Sequence, residues 1–191
     1  GDDFRFGKDR AGDLAFTESL GAEFGYEVVP TSTFDLAGER VSSTRIRASL
    51  VDADFVQAAN LLGKPFKLSG KVLKGKQLGR TIGSPTANIA LKRVKSPLHG
   101  VYAVRVSGGG LTEAPGVANV GVRPTVNDGM LANLEVNLLN FNGDLYGERL
   151  DVEFMTKLRD EKKFDSLDAL KTAIAADQQA ARQWHASHPV K

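Results

Sequence analysis

From Phe66 onward, apolar and polar residues alternate in short runs separated by Gly, Pro and Asn turns. The runs are roughly 66–74, 85–91, 100–107, 116–122, 131–141 and 148–156. A period of two puts successive side chains on opposite faces of a strand. Short strands with turn signals at this spacing predict a six-stranded antiparallel barrel. Ser107-Gly108-Gly109-Gly110, Asn127-Asp128-Gly129 and Asn142-Gly143 read as turns between strands. After Asp165 the period becomes helical. Over 166–187, Leu167, Leu170, Ile174, Ala181 and Trp184 fall on one stripe, interrupted at Asp177. Such a stripe predicts a long C-terminal helix packed on the barrel, with Asp165 or Ser166 as its N-cap.

The first third has another texture. Residues 13–25 read as a helix, with Leu14, Phe16, Leu20 and Phe24 on one side. Residues 26–30 read as a short strand ended by Pro30. Ser42 or Ser43 can cap a helix starting near Thr44, and a second helix, 54–62, ends at Gly63. This alternation fits the end of an α/β layer, but it holds too few strands for a sheet of its own. We expect a truncated α/β remnant over 1–63 and the barrel over 64–191, with the boundary near Gly63-Lys64-Pro65. The chain starts inside a motif at Gly1, so a missing front part is expected.

Composition removes several function classes. Twenty-five basic residues face 23 acidic ones over 191 residues, so no basic excess marks a dedicated nucleic-acid binder. There is no cysteine, and His99, His185 and His188 have no zinc-ligand spacing. No apolar run approaches ~18 residues, so no membrane partner is expected. No signal peptide is visible, and a cytoplasmic setting is expected.

Candidate chemistry concentrates in Gly83-Ser84-Pro85-Thr86-Ala87-Asn88, which follows the basic, glycine-rich Lys74-Gly75-Lys76-Gln77-Leu78-Gly79-Arg80. Pro85 favours an extended chain that opens a strand. Thr86 and Asn88, two apart, then share a face and offer a hydroxyl and an amide carbonyl. Mg²⁺ takes such hard oxygens together with waters and substrate phosphates. The glycines allow backbone N–H groups to approach a polyphosphate. The same residues also suit a Pro/Gly turn into an ordinary strand.

Gly-x-Pro-Thr-Ala-Asn after a glycine-rich loop resembles the signature of riboflavin kinases. The resemblance continues through Leu98 to Ala103, Asn119-Val120-Gly121-Val122-Arg123-Pro124-Thr125 and Leu134-Glu135-Val136-Asn137-Leu138-Leu139. It runs on through Gly143-Asp144-Leu145-Tyr146-Gly147 and Leu158 to Ser166. It covers about two-thirds of the chain and implies a Greek-key barrel. Gly1-Asp2-Asp3-Phe4-Arg5-Phe6-Gly7 and Val41-Ser42-Ser43-Thr44-Arg45-Ile46-Arg47 resemble the end of the FMN adenylyltransferase half of bacterial bifunctional riboflavin kinase/FAD synthetases.

The resemblance implies roles. Glu135 would be the catalytic base, although periodicity alone favours a place on the solvated outer face of an edge strand. Relatives often carry His two residues after this Glu, where this chain has Asn137. Thr86 and Asn88 would hold Mg²⁺ and phosphate. Gly75, Gly79 and Ser84 would cradle the nucleotide, with Lys74, Lys76 and Arg80 screening phosphates or simply forming a solvated turn. Leu145 and Glu148 would lie on the adenosine side. Arg159, Lys162 and Phe164 would close on the flavin, by stacking and by hydrogen bonds to its carbonyls. A charged pre-helix loop with Phe164 as a staple is the other reading of that segment. Ser42, Ser43 and Arg47 match a triphosphate-binding helix start, or else a plain serine cap. Adenylyl transfer also needs a His-x-Gly-His segment, which this sequence lacks.

The expected activity is ATP- and Mg²⁺-dependent phosphorylation of riboflavin to FMN, with ADP as the other product and no onward FAD synthesis. A non-catalytic flavin-binding barrel would need neither a base nor a metal site. A nucleic-acid-binding barrel is opposed by the near-neutral charge.

Overall fold

The computed structural model describes residues 4–30, 32–74, 86–91, 96–124 and 130–190. By its packing the chain divides into two units, Gly1–Ser43 and Thr44–Lys191. The composition shift at Gly63 therefore falls inside the second unit.

In the first unit, helix α1 spans Leu14–Phe24. Asp13 caps it, its carboxylate accepting from Phe16 N at 2.9 Å. Gly25, at φ 74°, ends the helix in the left-handed region. The strand expected over 26–30 is not formed. Tyr26 N donates to Gly21 O at 3.1 Å, and its hydroxyl donates to Thr17 O at 3.2 Å. Both groups close the helix end, and residues 26–30 pair with no described strand. A hairpin that the hydrophobic pattern does not show, β1 (Asp35–Leu36) with β2 (Glu39–Arg40), follows.

The second unit is a closed six-stranded antiparallel barrel. Its strands are β3 (Lys67–Leu73), β4 (Ala87–Ile89), β5 (Gly100–Gly108), β6 (Leu111–Pro124), β7 (Met130–Leu138) and β8 (Arg149–Arg159). Their order around the barrel is β3-β4-β7-β6-β5-β8, a Greek key in which β4–β5 and β7–β8 are the crossing connections. β6 begins earlier than the pattern suggests. Gly109 (φ 58°) and Gly110 (φ 81°) form a two-residue turn that carries pairing up to Gly108 and Leu111.

Alternation sorts the strands as the sequence implies. Leu68, Val72, Val104, Val120, Leu134, Val136, Leu150 and Val152 fill the interior. Helices α2 (Ser43–Val51) and α3 (Phe55–Leu62) contribute Leu50, Phe55 and Ala58 to the same core. Phe55 meets Tyr102 and Phe154 at ring separations of 5.8 and 5.9 Å. Buried Tyr102 donates to His99 O and accepts from His99 N, so its hydroxyl is satisfied.

Helix α4 (Leu167–Ser187), N-capped by Ser166, packs on the outer barrel face over Val101, Ala103, Val117 and Leu139 through Ala181 and Trp184. Burying each such aliphatic side chain contributes about 1.5–3 kcal/mol. Gln178 to Asn137 (2.9 Å) and Arg182 to Asn140 (2.6 Å) add hydrogen bonds of about 0.5–1.5 kcal/mol each. Apolar contact therefore holds the helix down, and the polar ties set its register. No helix among the described residues is long and apolar enough to cross a membrane.

His185, on α4, gives this docking a pH dependence. Burial, then the nearby charges of Arg105 and His188, hold its imidazole below the ordinary range, against the backbone carbonyls of Gly116 and Val104. A lowered histidine favours the neutral form in the fold. Its contribution is thus complete above the unfolded value near pH ~6.5 and is lost as pH falls below it. The melting temperature should drop between about pH 7.5 and about pH 5.5, and His185→Gln should flatten that drop. An unchanged slope in the variant would assign the effect to other groups.

Candidate active site

Strand pairing builds one row across the outer barrel face, polar except at Val101. Arg159 on β8 is the Cα partner of Val101 on β5, and Val101 is the partner of Asn119 on β6. Asn119 in turn faces Glu135 on β7, which faces Asn88 on β4. Ala87 and Ile89 pack with the interior, so alternation turns Thr86 and Asn88 outward, onto the face that carries Glu135.

Two cavities open on this part of the barrel. The first, about 250 Å³, lies between the outer strand face, the segment after β8 and α4. Glu135, Asn119, Thr86, Lys162 and Phe164 line it, with Leu170 and Ile174 of α4. The second, about 390 Å³, is lined by Val72, Phe141, Asp144, Leu145 and Tyr146. Thr86 lines both. A hydroxyl therefore stands where two compartments adjoin, with the Glu135 carboxylate in the first and the Asp144 carboxylate in the second.

Glu135 is half-buried, and Asn133 Nδ2 donates to its Oε1 at 3.0 Å. These two residues and Asn137 alternate along β7 on the same face. Asn137 accepts from Gln178 and so ties the site to α4. The position where relatives carry His here joins strand to helix.

The segment after β8 covers the first cavity. Phe164 has two cations over its ring, the Arg159 guanidinium and the Lys162 ammonium, each 5.6 Å from the centroid. Arg159 is less available than its sequence context suggests. Its Nε and Nη2 donate to Asp177 at 2.8 and 2.7 Å, and its Nη1 donates to Asp160 O at 2.9 Å. Three of about five N–H donors are thus engaged within the protein. Asp177, the interruption in the helical stripe, is buried and clamps β8 to α4. Glu161 lies across β6 at Gly121, where a Cβ would collide with its carboxylate. Gly121 is thus a seat for the covering segment.

Other expected residues lie elsewhere. Leu145 lines the second cavity, and Lys74 sits over Tyr146 at 6.0 Å. Glu148 is not among the described residues lining either cavity; its side chain packs at the Gly109 turn. Asn88 borders Glu135 by register and lines neither cavity. Ser43 opens α2 and Arg47 lies along it, both exposed, while Ser42 is half-buried. Gly75, Gly79 and Ser84, with Lys76 and Arg80, lie outside the described residues. Sequence reasoning did not single out Asn133, Asp177, Gln178 or Glu161. Asp177 alone had a visible signal, as the polar break in an apolar stripe.

The barrel thus sets an outer cavity lined by Glu135 beside a second compartment, with Thr86 in the wall of both. Comparison with known proteins gives the family. The riboflavin kinase family model matches residues 62–185, more than half of the chain, and the FAD synthetase model matches residues 1–45. The chain belongs to the riboflavin kinase family. It is 54% identical over 182 residues to a bifunctional riboflavin kinase/FMN adenylyltransferase of Pseudomonas fluorescens, covering 95% of this chain and 58% of that protein. Against the bifunctional enzyme of Escherichia coli K12 it is 50% identical over 184 residues, covering 96% and 58%. The chain thus spans less than two-thirds of the length of these relatives. A crystal structure described as a macrolide-efflux protein from Streptococcus pneumoniae superposes with a TM-score of 0.70 at 37% identity, covering 96% of this chain and 59% of that one.

Proposed function

We propose that this chain transfers the γ-phosphoryl group of ATP to the terminal ribityl hydroxyl of riboflavin, giving FMN and ADP. The observation that carries the reading is Thr86 at the junction of two cavities, one of which holds Glu135. Riboflavin occupies the first cavity and the nucleotide the second. Leu145, Tyr146 and Phe141 give the second an apolar and aromatic wall suited to a base. Gly75, Gly79 and Ser84 belong to the phosphate-cradling loop.

Phosphoryl transfer needs alignment and charge stabilisation more than covalent help from the protein. Glu135 accepts the proton of the attacking hydroxyl as the oxygen bonds to phosphorus, and Asn133 orients the carboxylate. Phe164 stacks on the flavin, and Lys162 adds a positive charge beside it. Arg159 holds the segment in place through Asp177.

The donor set fits Mg²⁺. Thr86 and Asn88 present neutral hard oxygens on one strand face, and among the described residues no three acidic or imidazole groups converge as a softer or more charged alternative. Bound there, the ion would offset the negative charge of the phosphates.

The N-terminal part, 1–63, is assigned to the adenylyltransferase half of the bifunctional architecture, with Ser42, Ser43 and Arg47 on its triphosphate side. The test is the protein with ATP, Mg²⁺ and riboflavin, its products separated by chromatography. FMN should accumulate. Folded protein that makes no FMN would refute the kinase reading.

A further inference from the structure

One polar atom in the first cavity has no partner among the described residues. Asn119 Oδ1 is buried and accepts no hydrogen bond. A buried acceptor left unsatisfied costs about 1–3 kcal/mol, so its retention in a cavity wall points to a donor from outside the protein. Its neighbours in the row supply none. Val101 on one side is apolar and buried, and Glu135 on the other is a carboxylate, which only accepts when ionised.

We propose that Asn119 binds the acceptor's polyol chain, taking a hydrogen bond from the secondary hydroxyl that adjoins the reacting one. The inference rests on the kinase reading. Asn119 and Glu135 are direct partners across β6 and β7, on one face and in one cavity. Such pairs have Cβ atoms about 4.5–5.5 Å apart, so two side chains of this length can reach adjacent carbons of one chain. Glu135 takes the terminal hydroxyl, and Asn119 takes the 4′-hydroxyl. Two hydrogen bonds from successive hydroxyls fix the rotation of the terminal carbon and aim its oxygen at the second cavity. The site thereby selects an acceptor with vicinal hydroxyls at its reacting end, over a simple primary alcohol on the same ring.

The test compares kcat/KM for riboflavin, 4′-deoxyriboflavin and 2′-deoxyriboflavin, in the wild type and in Asn119→Ala. The wild type should lose about 10–100-fold on the 4′-deoxy acceptor, as for one unsatisfied buried polar atom, and far less on the 2′-deoxy acceptor. Asn119→Ala should lose a similar factor on riboflavin, little more on the 4′-deoxy acceptor, and leave the KM for ATP unchanged. If the alanine variant does not fold, Asn119→Ser keeps an accepting oxygen on a shorter arm and should show reduced 4′ discrimination. Equal wild-type rates on the two deoxy acceptors overturn the proposal without any variant. Losses that multiply between variant and analogue overturn it too, since they would place Asn119 and the 4′-hydroxyl in separate interactions. No FMN from riboflavin in the wild type would remove the kinase reading and the acceptor with it. FMN from the wild type with an additive pattern removes only the role of Asn119.

Discussion

Glu135→Gln should lower turnover by about 10²–10⁴-fold, the range for loss of a general base, with riboflavin binding little changed. The substitution keeps shape and preserves an oxygen that can accept from Asn133, so the wall of the cavity stays in place. It removes only the capacity to take a proton. Rapid-quench measurement of FMN formation, with riboflavin affinity read separately from flavin fluorescence, divides chemistry from binding. Near-normal turnover would make Glu135 a wall residue and leave the hydroxyl to lose its proton to solvent or phosphate. A lost affinity at normal turnover would recast it as a binding group. A rate that falls together with the melting temperature would point to a fold defect instead.

That prediction depends on a residue whose role could not be read from local pattern. The alternation Leu134, Glu135, Val136, Asn137, Leu138 says which side chains share a face. It does not say whether the polar face meets solvent or a cavity. The answer comes from α4 and the segment after β8, more than twenty residues downstream, which roof that face over. The barrel interior was legible because each strand carries its own signal. Leu68 and Val72, or Val104 and Val106, point inward whatever their neighbours do. Residues 26–30 misled because a strand needs a partner, and a short apolar run before proline does not reveal that Tyr26 serves its own helix end. Asn119 was visible inside a motif, but its unsatisfied oxygen depends on which residues sit beside it across two strand pairs. Long-range register is what sequence period leaves open.

The Arg159–Asp177 pair carries the second large effect. Asp177→Ala should destabilise the barrel unit by about 3 kcal/mol, the lower end of the range for breaking a buried ion pair. The lower end applies because the Arg159 side chain keeps 28% of its surface exposed, so water recovers part of its solvation once the partner is gone. For a chain of this size the melting temperature should fall by roughly 6–12 °C. Removing both partners should behave differently. Arg159→Met with Asp177→Leu leaves no charge stranded and fills similar volume, and such replacements are often neutral or stabilising. The double variant should therefore recover most of the lost stability. It should not recover the site, because the guanidinium that lies over Phe164 is gone. Scanning calorimetry of both variants, paired with riboflavin titration, separates the two roles. An Asp177→Ala protein that melts within about 2 °C of the wild type would mean that solvent already screens the pair. A double variant that regains both stability and riboflavin affinity would make the pair a fold element only, with no bearing on how Phe164 is held over the cavity.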